Sequence, residues 1–313
     1  MSTIQHSDQV QHLYKRVLSG TSITGRYVEV GAGGQRAHVL ETGDGPPLVL
    51  LHGTGVSAWF FQPLLTELEG FRVIAPDRPG QGLSDPVDLP RRTYHETSVA
   101  WLDRLFGALE LDAVALLGHS AGGVLALRYA LAHPTRVKRL VVVGAPALPK
   151  TRCPLPYRLI ATPGIGELLS RLAPPSPRTV LQFAKFMGEE GALASRPDLV
   201  DMFVAESRNP IAAKGATTEA RVLTSPFALL LPHGFRRRSR VRPDELRRLT
   251  VPTLLAWGNS EPLGDVTVAR ATADLIPDCQ LKLLPGGHAP WLGHPTQTAT
   301  AMAEFLTTER TQS

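Results

Sequence analysis

Residues 113–123 read AVALLGHSAGG, and this stretch decides the fold of the chain. Its apolar start predicts a buried strand, and the segment GVLALRYALAH that follows predicts a helix. Between them lies the pattern G-x-S-x-G, with Ser120 at its centre. A turn this tight leaves no room for flanking side chains and holds the serine hydroxyl at the carboxyl edge of the sheet. The strand–turn–helix context therefore favours a nucleophile over an incidental serine at a glycine-rich helix start.

Further buried-type strands alternate with helices on both sides of this unit. They are PLVLL (47–51), FRVIAP (71–76), RLVVVG (139–144), TLLAW (253–257) and QLKLL (280–284), preceded by a predicted hairpin of RYVEV (26–30) and RAHVLE (36–41). Continuous apolar strands that alternate with helices are typical of a parallel sheet covered on both faces. The predicted fold class is therefore α/β, with a mostly parallel central sheet.

The alternation stops between about Pro146 and Pro243, where eight prolines from Pro146 to Pro177 precede helical stretches without an obvious strand. We interpret residues 147–248 as a helical lid inserted into a core of residues 26–146 and 249–313. Residues 1–25 are expected to form an N-terminal extension with a short amphipathic helix, because its apolar residues have helical spacing.

Composition and charge exclude several classes of protein. The 313 residues are 43% hydrophobic and 19% charged, with no apolar run long enough to span a membrane and no secretory signal. The two cysteines, Cys153 and Cys279, predict neither a disulfide framework nor a metal site, so we expect a cytoplasmic protein. We expect neither nucleic acid nor a membrane as a partner; the oligomeric state is open.

The positive charge is concentrated in the predicted lid. Residues 147–248 contain 17 Lys/Arg and 9 Asp/Glu, a net charge of +8, and the densest cluster is FRRRSRVR (235–242). Such a cluster either attracts an anionic group of the substrate or is an ordinary solvated surface, and we favour the second interpretation.

From about residue 26 onward the chain resembles the α/β-hydrolase family. Residues 50–55, LLHGTG, look like the loop that supplies one oxyanion donor, and residues 75–86, APDRPGQGLSDP, look like a structural turn of the family. The resemblance implies an oxyanion hole formed by the backbone N–H groups of Thr54 and Ala121. The second of these is also expected at the N-terminus of the helix that follows Ser120.

The base that activates Ser120 is predicted to be His288. It lies on a glycine loop after the last strand, and GGHAPW (286–291) resembles the family's catalytic-histidine loop. His119 adjoins the nucleophile but should point away from it. His52 is expected to brace the oxyanion loop, and His294 to lie near the start of the final helix.

The acid of the triad should follow a strand at the same sheet edge. The turn after RLVVVG has no carboxylate, so the turn WGNSEPLGD (257–265) remains. Glu261 stands where the family usually carries Asp, whereas Asp265 directly precedes a predicted helix and has a sufficient role as its N-cap. We favour Glu261, and keep Asp265 as the alternative acid.

Together these residues predict a serine hydrolase that cleaves an ester, lactone or thioester of a small hydrophobic molecule through an acyl-enzyme, without metal or organic cofactor. His119 before the serine resembles esterases more than carbon–carbon hydrolases, which tend to carry Asn. His119, Gly55, Trp291 and Phe186 are expected to contact substrate. Two alternatives stay open: an acyl transferase, cyclase or lyase on the same triad, and a non-catalytic accessory or binding protein similar to those of magnesium chelation.

Overall fold

Eight strands form one sheet in the order β1-β2-β4-β3-β5-β6-β7-β8. They are β1 (Thr24–Glu29), β2 (Arg36–Thr42), β3 (Pro47–Leu51), β4 (Arg72–Pro76), β5 (Val114–His119), β6 (Val137–Val143), β7 (Thr253–Gly258) and β8 (Cys279–Leu284). The structure is a computed structural model that describes residues 3–31, 33–231 and 233–308. The ends of the predicted extension (1–2) and core (309–313), with positions 32 and 232, lie outside the described residues.

Strand direction follows the prediction. β2 is antiparallel to both β1 and β4, and all strands from β3 to β8 run parallel. Because parallel strands end at one edge, the turns after β3, β5, β6, β7 and β8 all lie at the carboxyl edge of the sheet. The predicted α/β class with a mostly parallel sheet is confirmed.

Helices cover both faces of the sheet. They are α1 (Thr3–Val17), α2 (Gln62–Leu65), α3 (Tyr94–Ala108), α4 (Ala121–Ala132), α5 (Leu155–Ala161), α6 (Ile165–Leu172), α7 (Pro177–Phe186), α8 (Glu190–Ala194), α9 (Pro197–Arg208), α10 (Pro210–Leu223), α11 (Pro243–Arg247), α12 (Val266–Ala273) and α13 (Pro295–Thr307). Successive residues of a strand point to opposite faces, so Leu48 and Leu50 belong to one hydrophobic cluster and Val49 and Leu51 to the other. None of the helices in the described part of the chain has the length and hydropathy needed to cross a membrane.

The N-terminal helix α1 is packed against the rest of the molecule. Its apolar face is buried, and the Tyr14 hydroxyl lies 2.6 Å from both Ser57 Oγ and Asp77 Oδ1. Asp77 also accepts the backbone N–H of Ala58 at 2.7 Å. A buried carboxylate with this many donors fixes the helix and the loops around it.

Between β6 and β7, the described residues contain seven helices, α5 to α11, and no strand beyond one isolated bridge between Thr224 and Phe235. We call residues 155–247 the insertion. Five of its helices begin with proline in the first turn, where the missing N–H and fixed φ are favourable. Of the eight prolines from Pro146 to Pro177, Pro156 and Pro177 lie in such first turns.

Candidate active site

Ser120 lies in the turn between β5 and α4 with φ +54° and ψ −124°, in a region that non-glycine residues rarely occupy. The turn is held by the Ser120 N–H, which donates to Val143 O at 2.9 Å. A Cβ on Gly118 would stand 2.4 Å from the Gly122 carbonyl oxygen, and one on Gly122 would stand 2.2 Å from the Leu51 carbonyl oxygen. Close backbone approach therefore requires glycine at both flanking positions.

His288 and Glu261 meet at the carboxyl edge of the sheet. The Nδ1 atom of His288 lies 2.9 Å from Glu261 Oε1 and 3.0 Å from Oε2, and both side chains are buried. The backbone N–H of Leu263 also donates to Glu261 Oε1 at 3.2 Å. With Nδ1 facing the carboxylate, Nε2 of His288 is the ring nitrogen left for proton transfer.

The turn after β6 makes room for this pair. Gly144 has a φ of +54°, and a Cβ there would lie 2.7 Å from Glu261 Oε2 and 2.9 Å from His288 Nδ1. This is the turn that carries no carboxylate in the sequence. Any side chain at position 144 would displace the carboxylate or the imidazole.

Asp265 lies elsewhere, at the exposed N-cap of α12. Its carboxylate accepts the backbone N–H groups of Thr267 at 2.9 Å and Val268 at 3.3 Å. The structure thus brings Glu261, and not Asp265, to His288. The four-residue separation is enough to place one carboxylate in the interior and the other in solvent.

Ser120, His288, His119 and Thr54 line a common cavity of about 60 Å³. Ser120, His288 and Thr54 also line a second cavity of about 30 Å³. Within the described residues, no direct hydrogen bond joins the Ser120 hydroxyl to His288. Such catalytic hydrogen bonds often tighten only when substrate binds.

The cavity lining is mostly apolar and comes from core and insertion together. Besides the four residues above, the first cavity is lined by Gly53, Val56, Phe60, Tyr157, Val180, Phe183, Ala184, Met187, Glu189, Leu193, Phe203, Ala289 and Leu292. Neither cavity has a Lys or Arg among its described lining residues. The arginines of 236–240 line separate grooves at the surface.

His119 faces the cavity in the neutral form. Its Nε2 donates to the His288 carbonyl oxygen at 3.0 Å, and its ring contacts that of Trp291 edge-on at 4.8 Å. Burial, and then the charge of His288, lower the pKa of His119 well below the ordinary histidine value. Because Nε2 carries the hydrogen, Nδ1 is an acceptor, and it has no partner within the described residues.

Three residues that are expected to contact substrate lie outside the lining of both cavities. Trp291 is fully buried behind His119, donates to Phe60 O at 2.9 Å and does not line either cavity. Gly55 lies outside the lining, where a Cβ would meet Ala216 of α10. Phe186 is 39% exposed on the outer side of α7.

Helical periodicity explains why Phe186 does not line the cavity. The cavity side of α7 and the residue after its end consist of Val180, Phe183, Ala184 and Met187, at the spacing i, i+3, i+4, i+7. Phe186 falls between these positions. The apolar spacing in the sequence identifies the correct face once α7 is known to cover the cavity.

The loop that carries Thr54 is fixed from the insertion by Glu219 of α10. The Thr54 hydroxyl donates to Glu219 Oε2 at 2.6 Å, and Arg78 donates to Oε1 at 2.6 Å and to Oε2 at 2.9 Å. Arg78 also donates to Gly53 O at 2.8 Å. Burial alone would raise the pKa of Glu219, but Arg78 and the hydrogen bonds lower it to about 2. This carboxylate is therefore ionised at any working pH.

The loop that carries His288 is fixed from the insertion by Glu189, between α7 and α8. Glu189 Oε1 accepts the N–H of Gly287 at 2.8 Å and of Ala289 at 3.0 Å, and the His288 N–H donates to Met187 O at 3.0 Å. Oε2 of Glu189 accepts no hydrogen bond within the described residues. Burial raises the pKa of Glu189 to about 7, because the two N–H groups only partly offset it.

Glu189 and Glu219 are absent from the sequence-based prediction. Their partners lie roughly a hundred or more positions away along the chain, at separations of 98 and 165 residues. No local pattern marks such contacts. A buried carboxylate in an otherwise helical segment is visible only in the folded structure.

The described residues hold no group of three or more His, Cys, Asp or Glu side chains that could bind a metal ion.

Ala121, the other predicted oxyanion donor, is buried at the first position of α4, directly after Ser120. The arrangement has the chemical parts of nucleophilic acyl transfer: a strained serine, a carboxylate-bound imidazole and a helix N-terminus.

Known proteins resemble this chain over most of its length. The model of the alpha/beta hydrolase fold family matches residues 46–295. The chain is 28% identical over 279 residues to the pimeloyl-acyl-carrier-protein methyl ester esterase of Shewanella oneidensis, which covers 86% of this chain and 94% of that protein. It is 30% identical over 298 residues to the 2-hydroxymuconate semialdehyde hydrolase of a Pseudomonas species, with 89% and 93% covered.

Among solved structures, carboxylesterase CesB from Bacillus subtilis has the same fold, with a TM-score of 0.72 over 97% of this chain and 99% of that one. Its sequence is 24% identical, so the likeness concerns the fold alone.

Proposed function

This chain belongs to the α/β-hydrolase fold family, and from that premise we propose that it is a serine hydrolase of carboxylic esters, lactones or thioesters. Its substrate is a small hydrophobic molecule, and the reaction passes through an acyl-enzyme. The relatives named above are a methyl ester esterase and a semialdehyde hydrolase, so hydrolysis is the common element.

In the proposed reaction, the Ser120 hydroxyl attacks the substrate carbonyl carbon while His288 Nε2 takes its proton. Glu261 holds the imidazole in the required tautomer and stabilises the imidazolium. The backbone N–H groups of Thr54 and Ala121 bind the oxyanion, and loss of one such donor is expected to cost roughly 10²–10³ in rate. His288 then protonates the leaving group, and water hydrolyses the acyl-enzyme.

The observation that carries this proposal is the 2.9 Å contact between His288 Nδ1 and Glu261, in a cavity that Ser120 also lines. Packing alone does not require a buried carboxylate, an imidazole bound to it and a strained serine in one place. Catalysis by a nucleophilic serine requires all three groups. The fully buried positions of Glu261 and His288 also exclude water, which strengthens their interaction.

The apolar lining supports a hydrophobic acyl group, and the small cavity volumes support a lid role for residues 147–248. Cavities of about 60 and 30 Å³ are far below the roughly 300–1,000 Å³ of typical ligand sites. A substrate of ordinary size therefore requires the insertion to move away from Ser120. The lining also makes an anionic substrate, the less favoured interpretation of the basic cluster, less suitable, because its described residues include the carboxylate of Glu189 and no Lys or Arg.

A fluorophosphonate probe tests the nucleophile. We expect labelling of the folded protein at Ser120, and none of Ser120→Ala, with His133→Ala as a control histidine variant outside the site that still labels. Labelling that persists in Ser120→Ala, or absence of labelling in the folded wild type, would overturn the proposal.

The rival reactions on the same residues differ in their products. Hydrolysis releases the free acid, with one oxygen atom taken from ¹⁸O-labelled water, whatever alcohols are added. An acyl transferase would instead give products that contain the added alcohol or thiol, and a cyclase or lyase would incorporate no oxygen from water. Mass spectrometry of products from an ester panel separates the three.

A further inference from the structure

The insertion presents a large apolar surface to solvent on its outer side. Leu230 is 83% exposed, Leu172 74%, Phe227 65% and Leu155 60%. We call this surface the outer apolar face; it consists of Leu155, Ile160, Leu168, Leu169, Leu172, Phe227, Leu229, Leu230 and Leu231. Helix α6 buries none of its residues. Monomeric proteins rarely expose apolar patches of more than a few hundred Å², so a surface of this kind indicates an interaction site.

The segments that carry these residues are held together as one face. The guanidinium group of Arg158 on α5 donates to the carbonyl oxygens of Ala228 at 3.0 Å and Leu231 at 2.9 Å. Helix α6 lies directly against α5, where a Cβ on Gly166 would meet the Ile160 carbonyl oxygen at 2.1 Å. The exposed leucines are therefore neighbours on a continuous surface.

Arginines lie beside the apolar residues. Phe227 and Leu231 share a surface groove of about 540 Å³ with Arg236, Arg237, Arg238 and Arg240. Within the described residues, these four arginines form no ion pair with a carboxylate. The acidic residue of α6, Glu167, is already paired with Arg221. The surface around the groove is thus positively charged and lacks an internal counter-ion.

We propose that the outer apolar face and the adjoining arginines bind the surface of an anionic lipid bilayer. Leu, Ile and Phe side chains that protrude from a basic surface are suited to the boundary between headgroups and acyl chains, where arginines contact anionic headgroups. A second copy of this chain is less well matched, because the arginines of two such basic surfaces would repel each other across the interface. This inference reverses the sequence-based expectation that no membrane is a partner.

The position of α5 connects this surface with the cavity. Leu155 and Ile160 of α5 are exposed on its outer side, whereas Tyr157 lines the cavity with Ser120. One short helix therefore separates the proposed bilayer contact from the cavity. An apolar molecule dissolved in the bilayer would have a short route to Ser120.

Vesicle co-sedimentation of the full chain tests the proposal without requiring enzyme activity. We expect binding to vesicles of phosphatidylglycerol mixed with phosphatidylcholine, weaker binding to phosphatidylcholine alone, and weaker binding at high salt. The double variant Leu172→Asp/Leu230→Asp, and separately Arg237→Glu/Arg238→Glu, should each bind roughly tenfold or more weakly. Leu283→Asp and Arg270→Glu, on exposed residues outside the insertion, are the matched controls and should bind like the wild type.

Circular dichroism and light scattering complete the experiment. Each variant must retain the wild-type spectrum, which the outward position of all four side chains makes feasible. The proposal is overturned if folded wild type does not sediment with the anionic vesicles, or if the Leu172/Leu230 and Leu283 variants bind equally. A dimer that Leu230→Asp dissociates, without vesicle binding, would assign the face to a second copy instead.

Discussion

Two buried carboxylates of the insertion, Glu219 and Glu189, bind the loops on the two sides of Ser120, and they have opposite environments. Glu219 holds the Thr54 loop with the Arg78 guanidinium beside it, and its pKa falls to about 2. Glu189 holds the His288 loop through two backbone N–H groups, with no Lys or Arg among the described residues of the cavity that it lines, and its pKa rises to about 7. The first contact is permanent at working pH, whereas the second changes its charge near neutrality.

This difference indicates which side of the cavity adjusts. A paired, fully hydrogen-bonded carboxylate is costly to break, because separation leaves both charges buried. A buried carboxylate whose pKa is raised holds its contact less firmly once it ionises, because the charge is then buried without a counter-ion. We therefore expect the insertion to remain attached at the Thr54 loop and to loosen at the His288 loop.

The largest effect should come from removing the paired carboxylate. Glu219→Ala leaves Arg78 buried without a counter-ion, and we expect a loss of about 3–5 kcal/mol in the free energy of unfolding. Urea denaturation measures it, with Glu167→Ala, which removes the exposed partner of Arg221, as the matched control that changes little. If Glu219→Ala does not fold, Glu219→Gln serves in its place. Equal losses of unfolding free energy in Glu219→Ala and Glu167→Ala would show that the buried pair with Arg78 contributes no more than an exposed ion pair.

The second prediction concerns the sign of the pH dependence. The pKa of Glu189 is raised in the folded state, so its ionisation opposes folding and its contribution declines as pH rises from about 4.5 to 7. The pKa of Glu219 is lowered, so its contribution is complete above about 4.5 and is lost as pH falls towards 2.

Relative to wild type, Glu189→Gln should therefore gain stability as pH rises from 5 to 8, by on the order of 1–3 kcal/mol. Glu219→Gln should lose most of its deficit as pH falls from about 4.5 towards 2. Urea unfolding across this range measures both differences. The same sign of pH dependence in the two variants would contradict the assigned environments.

A third prediction separates positioning of the loop from stability alone. Glu189→Gln replaces a charged acceptor of the Gly287 and Ala289 N–H groups with a weaker neutral one, so His288 should be held less firmly. We expect about a tenfold fall in kcat for a hydrophobic ester, since small displacements of a catalytic group are costly. Glu190→Gln, at the exposed neighbouring position, is the matched control. A kcat equal to that of wild type would show that Glu189 does not position the base.

The smallest expected effect distinguishes the two sides of α7, the helix that leads to Glu189. Phe183→Ala removes an apolar wall of the cavity and should raise KM for hydrophobic esters severalfold. Phe186→Ala removes an exposed ring and should leave KM unchanged. Steady-state kinetics over a series of acyl chain lengths measures both. A larger effect at 186 than at 183 would place the substrate on the other side of the helix.

The sequence predicts what depends on local pattern. The segment AVALLGHSAGG contains both the strand–turn–helix signal and the reason for its glycines, so the position of Ser120 follows from a short stretch. The order of parallel strands brings the turn of Glu261 and the loop of His288 to the same edge, because parallel strands end together. The role of Asp265 as a helix cap is also predictable from the sequence, because a capping residue and its helix are adjacent along the chain.

The remainder depends on contacts between distant segments. Trp291 belongs to the catalytic-histidine motif, yet whether its ring lies in the core or the cavity is decided by Phe60 and His119. Glu189 and Glu219 resemble ordinary acidic residues of helical segments until the insertion folds over the sheet edge. The outer apolar face could not be predicted from the sequence, because the exposure of leucines in short helices depends on which segments pack against them.

The most direct test of the central claim compares turnover of two variants that differ by four positions, Glu261→Gln and Asp265→Asn. With Glu261 as the acid bound to His288, Glu261→Gln should lower kcat for a chromogenic hydrophobic ester by roughly 10⁴ while the fold is retained. Asp265→Asn, at an exposed helix cap, should stay within a fewfold of wild type. Collapse of turnover in Asp265→Asn, with Glu261→Gln near wild type, would contradict the account.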